Sequence, residues 1–225
     1  MSLHDDEASR EMLASLVGML QEQGERERAQ LAHLLHDELG GLLAATRMAL
    51  SRLQRDDVLA GAADVQATLA ELEAHLTQAF DVKRRAVEAL RPGILDHFGL
   101  GVALPSLYEQ RCRDAGVQLV VNVARDLPVL PPERAIALYR VGEFALARIL
   151  RAGPRLVELA LDSAAGVYAF GLRHDGADEG FETAPEFAGL ALWLARLQGG
   201  LAIQRAASSG CYLRATLSQP SSIGR

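Results

Sequence analysis

Apolar residues recur at steps of three and four between residues 7 and 90, a stretch that contains no proline. This spacing places them along one face of an α-helix. Two stripes are separated by a short polar segment at residues 55–61. The first stripe consists of Leu31, Leu35, Leu39, Leu42, Ala45, Ala49 and Leu53, and the second of Val65, Leu69, Leu72, Leu76, Ala79, Lys83, Val87 and Leu90. The pattern predicts a hairpin of two long helices, the first extending from about residue 7 to residue 54.

Two helices cannot bury both stripes against each other alone. Dimerisation into a four-helix bundle would cover them. The alternative is that the stripes pack on the remainder of the same chain. We expect the dimer, because the rest of the chain contains no helix long enough to cover both stripes.

The chain changes character after Leu90, where Arg91, Pro92 and Gly93 end the second helix. Helices are predicted at residues 96–114, 131–151 and 184–198. Strands are predicted at residues 117–123, 156–161, 167–172, 201–205 and 212–217, with turns at residues 163–166 and 208–210. Strands covered by helices on one face indicate an α+β layered domain. The expected organisation is a helical hairpin at residues 7–91 followed by an α/β sandwich at residues 92–219.

Composition narrows the range of functions. The 225 residues are 49% hydrophobic and 23% charged, which is typical of a globular protein, and the net charge of −6 argues against a nucleic-acid partner. Two cysteines in unrelated contexts form no disulfide framework and fit a reducing cytoplasm. No apolar run reaches the roughly 18 residues of a membrane span, so we expect no membrane segment in this chain.

One polar segment in the first helix carries candidate chemistry. His36 is followed by Asp37 and Glu38, and then by Gly40 and Gly41. A neutral imidazole can attack phosphorus and hold a phosphoryl group, and a carboxylate can accept the proton of its other ring nitrogen. Glycine in a helix costs about 1 kcal/mol relative to alanine, and here the bare backbone would leave the approach to His36 open. On spacing alone, a surface histidine on a solvated helix face, followed by two tolerated glycines, is the favoured interpretation.

The wider string resembles a known box. Leu35-His36-Asp37-Glu38-Leu39-Gly40, after the run Glu25-Arg26-Glu27-Arg28, is similar to the phosphoacceptor box of two-component histidine kinases, and most similar to the nitrate-sensor-like subfamily. Further matches follow in order along the chain. They are Leu90-Arg91-Pro92, Leu95-Asp96, Gly99-Leu100, Leu130-Pro131-Pro132-Glu133, Leu138-Tyr139-Arg140, Gly189-Leu190, Leu197-Gln198-Gly199-Gly200 and Gly210.

This resemblance implies a dimeric hairpin and an ATP-binding sandwich. It also implies that His36 is the phosphoacceptor, that Asp37 is its acid/base partner, and that the phosphate passes to or from an Asp of a response-regulator receiver domain. An upstream kinase or sensor would supply the signal. Phosphatase members of the family carry a Gln where this chain has Gly41, so that activity is not expected.

The nucleotide half departs from the family pattern. In the register set by Tyr139, Phe144 stands where the family has its catalytic Glu, and Arg148 stands where it has the Asn that binds magnesium. Shifting by one residue recovers Glu143 but puts Ala147 at the Asn position. A cationic guanidinium offers no oxygen to a metal ion.

The adenine-binding box departs as well. His174 occupies the position of the family's Asp, and Asp178 that of its second Gly. A site built to bond one edge of a base discriminates strongly when its partner is lost. We therefore expect no ATP or Mg²⁺ cofactor; both would be needed only if the chain were an active kinase.

Three other residues were weighed as sites. His33 and His36 have metal-pair spacing, but no further ligand is identifiable and no metal is expected. Trp193 is expected in the core and Cys112 as a half-buried structural thiol.

Three functions remain open at this point. The favoured one is a kinase-shaped dimer without ATP chemistry that relays phosphate through His36 in the cytoplasm. The others are an active sensor kinase with a divergent nucleotide pocket and a non-catalytic scaffold that binds receiver domains.

Overall fold

The structure, a computed structural model, describes residues 3–55, 63–176, 185–205 and 211–218. The helices in these ranges are α1 (Leu3–Leu34), α2 (Gly40–Gln54), α3 (Ala63–Leu90), α4 (Gly93–Phe98), α5 (Leu100–Ala115), α6 (Pro132–Arg151) and α7 (Pro185–Arg196). A π-helical turn, Leu35–Leu39, joins α1 to α2. The strands are β1 (Gln118–Val123), β2 (Leu156–Ala164), β3 (Val167–His174), β4 (Gly199–Arg205) and β5 (Cys211–Ser218). None of the helices in this part of the chain is long and apolar enough to cross a membrane.

The chain divides into two compact units. One is Gly24–Gly93, and the other combines Met1–Gln23 with Ile94–Arg225. We call the first the hairpin unit and the second the sandwich unit.

The hairpin unit pairs α2 with α3. Gln54, at the end of α2, donates a hydrogen bond to Glu73, whereas Gly40, at its start, lies against Lys83. The two helices are therefore antiparallel, as the hairpin prediction requires. The connection predicted at residues 55–61 lies outside the described residues beyond Arg55.

Few apolar side chains of the hairpin unit are buried. Those below one-tenth exposure are Ala32, Leu50, Leu69 and Leu76. The large apolar side chains that remain exposed are Leu31, Leu34, Leu39, Leu42, Met48, Leu53, Leu72 and Val82.

The sandwich unit contains one five-stranded sheet in the order β1-β2-β3-β5-β4. β1 and β2 are parallel and are connected through α6, while the other pairs are antiparallel. The β2–β3 hairpin turns at Ala165 and Gly166, whose φ angles of 51° and 75° suit a two-residue turn. The turn predicted at residues 208–210 lies outside the described residues.

Helices cover one face of this sheet. Val157, Leu159 and Leu161 of β2 are buried and alternate with more exposed neighbours, and they share one apolar core with Leu146 of α6 and Trp193 of α7. The predicted α+β class is confirmed, as is the core position of Trp193.

The helix predicted at residues 96–114 is instead two helices. Gly99 separates α4 from α5 with a φ of 73°. This left-handed conformation cannot continue a right-handed helix, and glycine adopts it without a steric penalty.

Candidate functional site

His36 lies in the π-helical turn between α1 and α2. The turn comprises Leu35–Leu39, and the side chains of His36, Asp37 and Glu38 are all exposed. π-Helical turns are rare and occur frequently at functional sites. Sequence periodicity predicted one uninterrupted helix here, because a single extra residue in a turn leaves the apolar spacing nearly unchanged.

Asp37 contacts a different histidine from the one the resemblance implies. Its Oδ2 lies 3.0 Å from Nε2 of His33, and the two side chains are 53% and 80% exposed. Residues four apart share a helix face, whereas adjacent residues point roughly 100° apart. Asp37 follows His36 directly in the sequence, and this suggested that the two side chains interact. In the structure Asp37 lies on the same helix face as His33 and contacts that residue.

The two glycines after the box have different surroundings. A Cβ on Gly41 would meet nothing within 4 Å, so the backbone there is open as expected. A Cβ on Gly40 would lie 2.8 Å from Nζ of Lys83. Gly40 thus makes room for a side chain of the opposite helix rather than for an incoming protein.

Lys83 belongs to the second helical stripe, and sequence reasoning gave it no functional role. Its Nζ donates a hydrogen bond to the backbone carbonyl of His36, at 3.3 Å. The available signal was composition, since Lys83 is the only lysine among the 23 basic residues of the chain.

An apolar groove runs beside the box within the hairpin unit. It has a volume of about 450 Å³. It is lined on one side by Leu35, Leu39 and Leu43 and on the other by residues of α3 between His75 and Ala86. Two of these leucines belong to the π-helical turn, so the groove and His36 share one structural element.

The residues that stand at the family's nucleotide positions belong to the sandwich unit, and Phe144 among them makes an aromatic contact. Phe144 of α6 packs edge-to-face on Phe187 of α7, with ring centroids 5.0 Å apart and an interplanar angle of 87°. Phe187 is buried. An aromatic pair therefore occupies the position at which the resemblance would place a catalytic carboxylate.

The neighbouring carboxylate already has a partner. Oε2 of Glu143 accepts a hydrogen bond from Nη1 of the buried Arg140, at 2.8 Å. Arg148, one helical turn further on, is half-buried. Arg148 has no side-chain oxygen to offer a metal ion, and Glu143 is engaged with Arg140 through Oε2.

The adenine-box residues also have structural contacts. His174 is buried, and its Nδ1 accepts a hydrogen bond from the backbone N–H of Gly176 at 3.2 Å. Oδ1 of Asp175 accepts hydrogen bonds from the backbone N–H groups of Leu156 and Arg155, at 2.9 and 2.8 Å. These bonds, that of Leu156 first, lower the pKa of the Asp175 carboxyl. Asp178, the other predicted position of this box, lies outside the described residues.

The weaker candidates are structural. Cys112 is buried, and burial raises the pKa of its thiol. Burial also raises the pKa of Tyr108, whose hydroxyl donates a hydrogen bond to the carbonyl of Gly142 at 2.8 Å. Within the ranges the structure describes, no three His, Cys, Asp or Glu side chains gather as a metal site would need.

Comparison with known proteins places the box in a family. A model of the histidine kinase family matches residues 27–95, which include His36. A sensor histidine kinase of Rhizobium johnstonii, MctS, is 28% identical over 151 residues. That match covers 67% of this chain and 32% of the relative, so the chain spans about a third of the length of the curated relative it matches.

Solved structures were compared as well. The histidine kinase domain of a blue-light activated kinase from Erythrobacter litoralis aligns with 79% of this chain and 94% of its own, at 17% identity and a TM-score of 0.47. The ATP binding domain of PrrB from Mycobacterium tuberculosis aligns with 52% of this chain and 92% of its own, at 21% identity and a TM-score of 0.41.

Proposed function

We propose that this protein is a member of the two-component histidine kinase family that transfers phosphate without using ATP. His36 carries the phosphoryl group to or from an aspartate of a response-regulator receiver domain. The observation that carries this proposal is a difference between the hairpin unit and the sandwich unit. The phosphoacceptor box is exposed and intact, whereas the nucleotide positions are occupied by side chains that pack or bond internally.

The chemistry requires an accessible neutral imidazole. Its lone pair attacks the phosphorus of an aspartyl phosphate, a P–N bond forms, and the P–O bond breaks with its electron pair left on the receiver carboxylate. The positive charge on the ring is relieved when the other ring nitrogen gives its proton to a carboxylate. The reverse sequence returns the phosphate. The exposure of His36 on the hairpin leaves it open to a macromolecular donor.

Asp37 is the proposed acceptor of that proton. The contact between Asp37 and His33 joins two exposed side chains, and such pairs are worth about 0–1 kcal/mol. Asp37 can therefore leave His33 and pair with His36 at little cost in free energy when the phosphoryl donor arrives.

Loss of ATP chemistry follows from the sandwich side chains. Phosphoryl transfer from ATP depends on Mg²⁺ and on a positioned base. Phe144 has no acid or base function, and its ring is packed on Phe187. Asp175 cannot substitute for the missing adenine partner at position 174, because its Oδ1 binds the backbone at the start of β2.

A homodimer is part of the proposal. Eight large apolar side chains of the hairpin unit are exposed, including Leu42 and Met48 at 68% and 67%. The groove beside the π-helical turn adds further apolar surface. A second copy of the hairpin would cover both, since contiguous exposed apolar surface on a soluble protein usually marks an interface.

The proposed partners and location follow from the same features. The open backbone at Gly41 leaves room for a receiver domain beside His36. Cys112 and Cys211 are both buried free thiols, which fits a reducing compartment such as the cytoplasm.

The test offers the full chain two phosphate donors. Phosphoramidate, a small molecule that phosphorylates imidazoles, is compared with radiolabelled ATP and Mg²⁺, and acid-labile phosphate is mapped to each histidine. We expect His36 to be phosphorylated by phosphoramidate faster than the exposed His97, which serves as an internal reference. No label is expected from ATP, and His36→Gln should remove the fast site while the protein remains folded.

Each alternative predicts another result. Labelling of His36 by micromolar ATP would make the chain an active kinase. A His36 no more reactive than His97 would favour a scaffold that binds receivers without phosphate exchange.

A further inference from the structure

The only lysine of the chain lies beside the backbone of its candidate phosphoacceptor. The sequence contains 23 Lys and Arg residues, and 22 of them are Arg. Lys83 is in α3, 47 positions from His36, and is half-buried between the helices of the hairpin unit. Because the one lysine stands where its side chain reaches the His36 carbonyl, we take this contact to need an ammonium group rather than a guanidinium group.

The contact is made to the element that carries His36. Nζ of Lys83 donates to the backbone carbonyl of His36, at 3.3 Å. Hydrogen bonds in a π-helical turn span five residues instead of four, so one carbonyl in such a turn lacks its usual helical donor. The bond from Lys83 links α3 to a carbonyl inside the π-helical turn, and so adds an interaction between helices to the turn in the form observed.

Gly40 makes the contact possible. A Cβ at this position would lie 2.8 Å from Nζ and 3.9 Å from Cε of Lys83. A larger residue would require the flexible end of Lys83 to move from its present position. The chain therefore keeps a glycine inside a helix, where glycine is unfavourable, at the point where the lysine reaches across.

Lysine suits this space better than arginine. The ammonium is a compact point charge on a flexible stem, whereas the guanidinium is a broad planar fork. A donor that must fit over a bare Cα and reach one carbonyl oxygen is best supplied by the smaller group.

We propose that Lys83 is a positioning residue for phosphate transfer. By holding the His36 carbonyl it maintains the π-helical turn, and the turn sets the direction in which the His36 ring leaves the helix. The proposal rests on the proposed function, because it concerns the reactivity of His36. It goes beyond that function by assigning a role to a residue on the opposite helix and to Gly40.

The experiment measures the rate of His36 phosphorylation by phosphoramidate in the full chain, divided by that of His97 in the same sample. The variants are Lys83→Met, Lys83→Arg, Gly40→Ala and the double variant of Lys83→Met with Gly40→Ala. Arg84→Met removes a neighbouring positive charge that pairs with Asp81 on its own helix. Gly24→Ala adds a methyl group to a helical glycine with nothing within 4 Å.

We expect Lys83→Met and Gly40→Ala each to lower the ratio by about 10- to 100-fold, the range that misplacement of a reacting group produces. Lys83→Arg should recover only part of the loss. The double variant should be no slower than the slower single variant, because both changes break one contact. Arg84→Met and Gly24→Ala should leave the ratio unchanged, and His97 should react at the same rate in every variant.

Three results would overturn the proposal. The first is a rate ratio in Lys83→Met equal to that of the wild type. The second is a loss in the double variant equal to the product of the losses in the two single variants. The third is a loss equal to that of Lys83→Met in Arg84→Met, which would indicate a general charge effect. Gly40→Ala retains the lysine and favours the helix, so it tests the proposal even if Lys83→Met impairs folding.

If His36 is no more reactive than His97 in the wild type, the proposed function fails. If His36 reacts fast and none of the variants changes its rate, only the role of Lys83 is rejected.

Discussion

The hairpin unit and the sandwich unit differ in how they cover their apolar side chains. In the sandwich unit, Tyr108, Tyr168 and Phe170 are at most 1% exposed and belong to one continuous core. In the hairpin unit, Leu42 and Met48 remain more than two-thirds exposed. The sheet and helices α4–α7 thus bury a core within one chain. The hairpin leaves an apolar surface that a second molecule can cover, and Met12 and Leu20, in the part of α1 that belongs to the sandwich unit, are also exposed, at 69% and 66%.

The two units also differ in how far their candidate functional side chains are exposed. The hairpin exposes its polar box, and the sandwich commits the corresponding nucleotide positions to packing and backbone hydrogen bonds. This distribution is the one that the proposed function predicts, with a phosphoacceptor in one unit and no ATP chemistry in the other.

The largest expected effect concerns the apolar surface of the hairpin. The wild type should have twice the mass of one chain by light scattering at micromolar concentration. Replacing Leu42 and Met48 together by Asp should convert it to single chains, because burying an unpaired carboxylate costs several kcal/mol. Val129→Asp, at a position 96% exposed in the sandwich unit, should leave the mass unchanged. A wild type that is already a single chain at this concentration would refute the dimer.

The second prediction concerns the aromatic pair in the nucleotide region. Phe144→Ala should lower the free energy of unfolding by about 2 kcal/mol, because it removes a partly buried ring and its edge-to-face contact with Phe187. Urea denaturation monitored by circular dichroism measures the change. Phe98→Ala, at an exposed ring, should cost less than about 0.5 kcal/mol. Equal costs would mean that Phe144 lines an open pocket and does not stabilise the sandwich.

The smallest effect concerns Asp175. Its two backbone hydrogen bonds lower the pKa of the folded state, so they stabilise the protein above the unfolded-state value of about 3.8 and lose this effect as the pH falls through the folded value. Asp175→Asn should therefore melt one or two degrees below the wild type at pH 7, and this difference should disappear toward pH 2. Thermal melts at several pH values test this, and a difference that persists at pH 2 would contradict it.

Much of the fold could be predicted from periodicity because both units are amphipathic. The two stripes located the hairpin helices, and alternation with turn residues located the strands of the sheet. The prediction of a single helix at residues 96–114 was wrong. A glycine in the sequence does not reveal whether its φ is positive, and the positive φ of Gly99 ends one helix before the next begins. The box was located from its residues, and its catalytic assignment to His36 and Asp37 stays a prediction for the phosphorylation experiment.

The sequence by itself determined which residues are amphipathic, where helices and strands lie, and that His36 belongs to an exposed polar segment, because these properties depend on neighbours three or four positions away. Only the tertiary structure decided the contacts of that segment. The approach of Lys83 to the His36 carbonyl joins residues 47 positions apart, and the packing of Phe144 on Phe187 joins two helices. Such contacts depend on how elements are placed in space, which local spacing does not encode. The pairing of Asp37 with His33 depends on the direction in which each side chain leaves its helix.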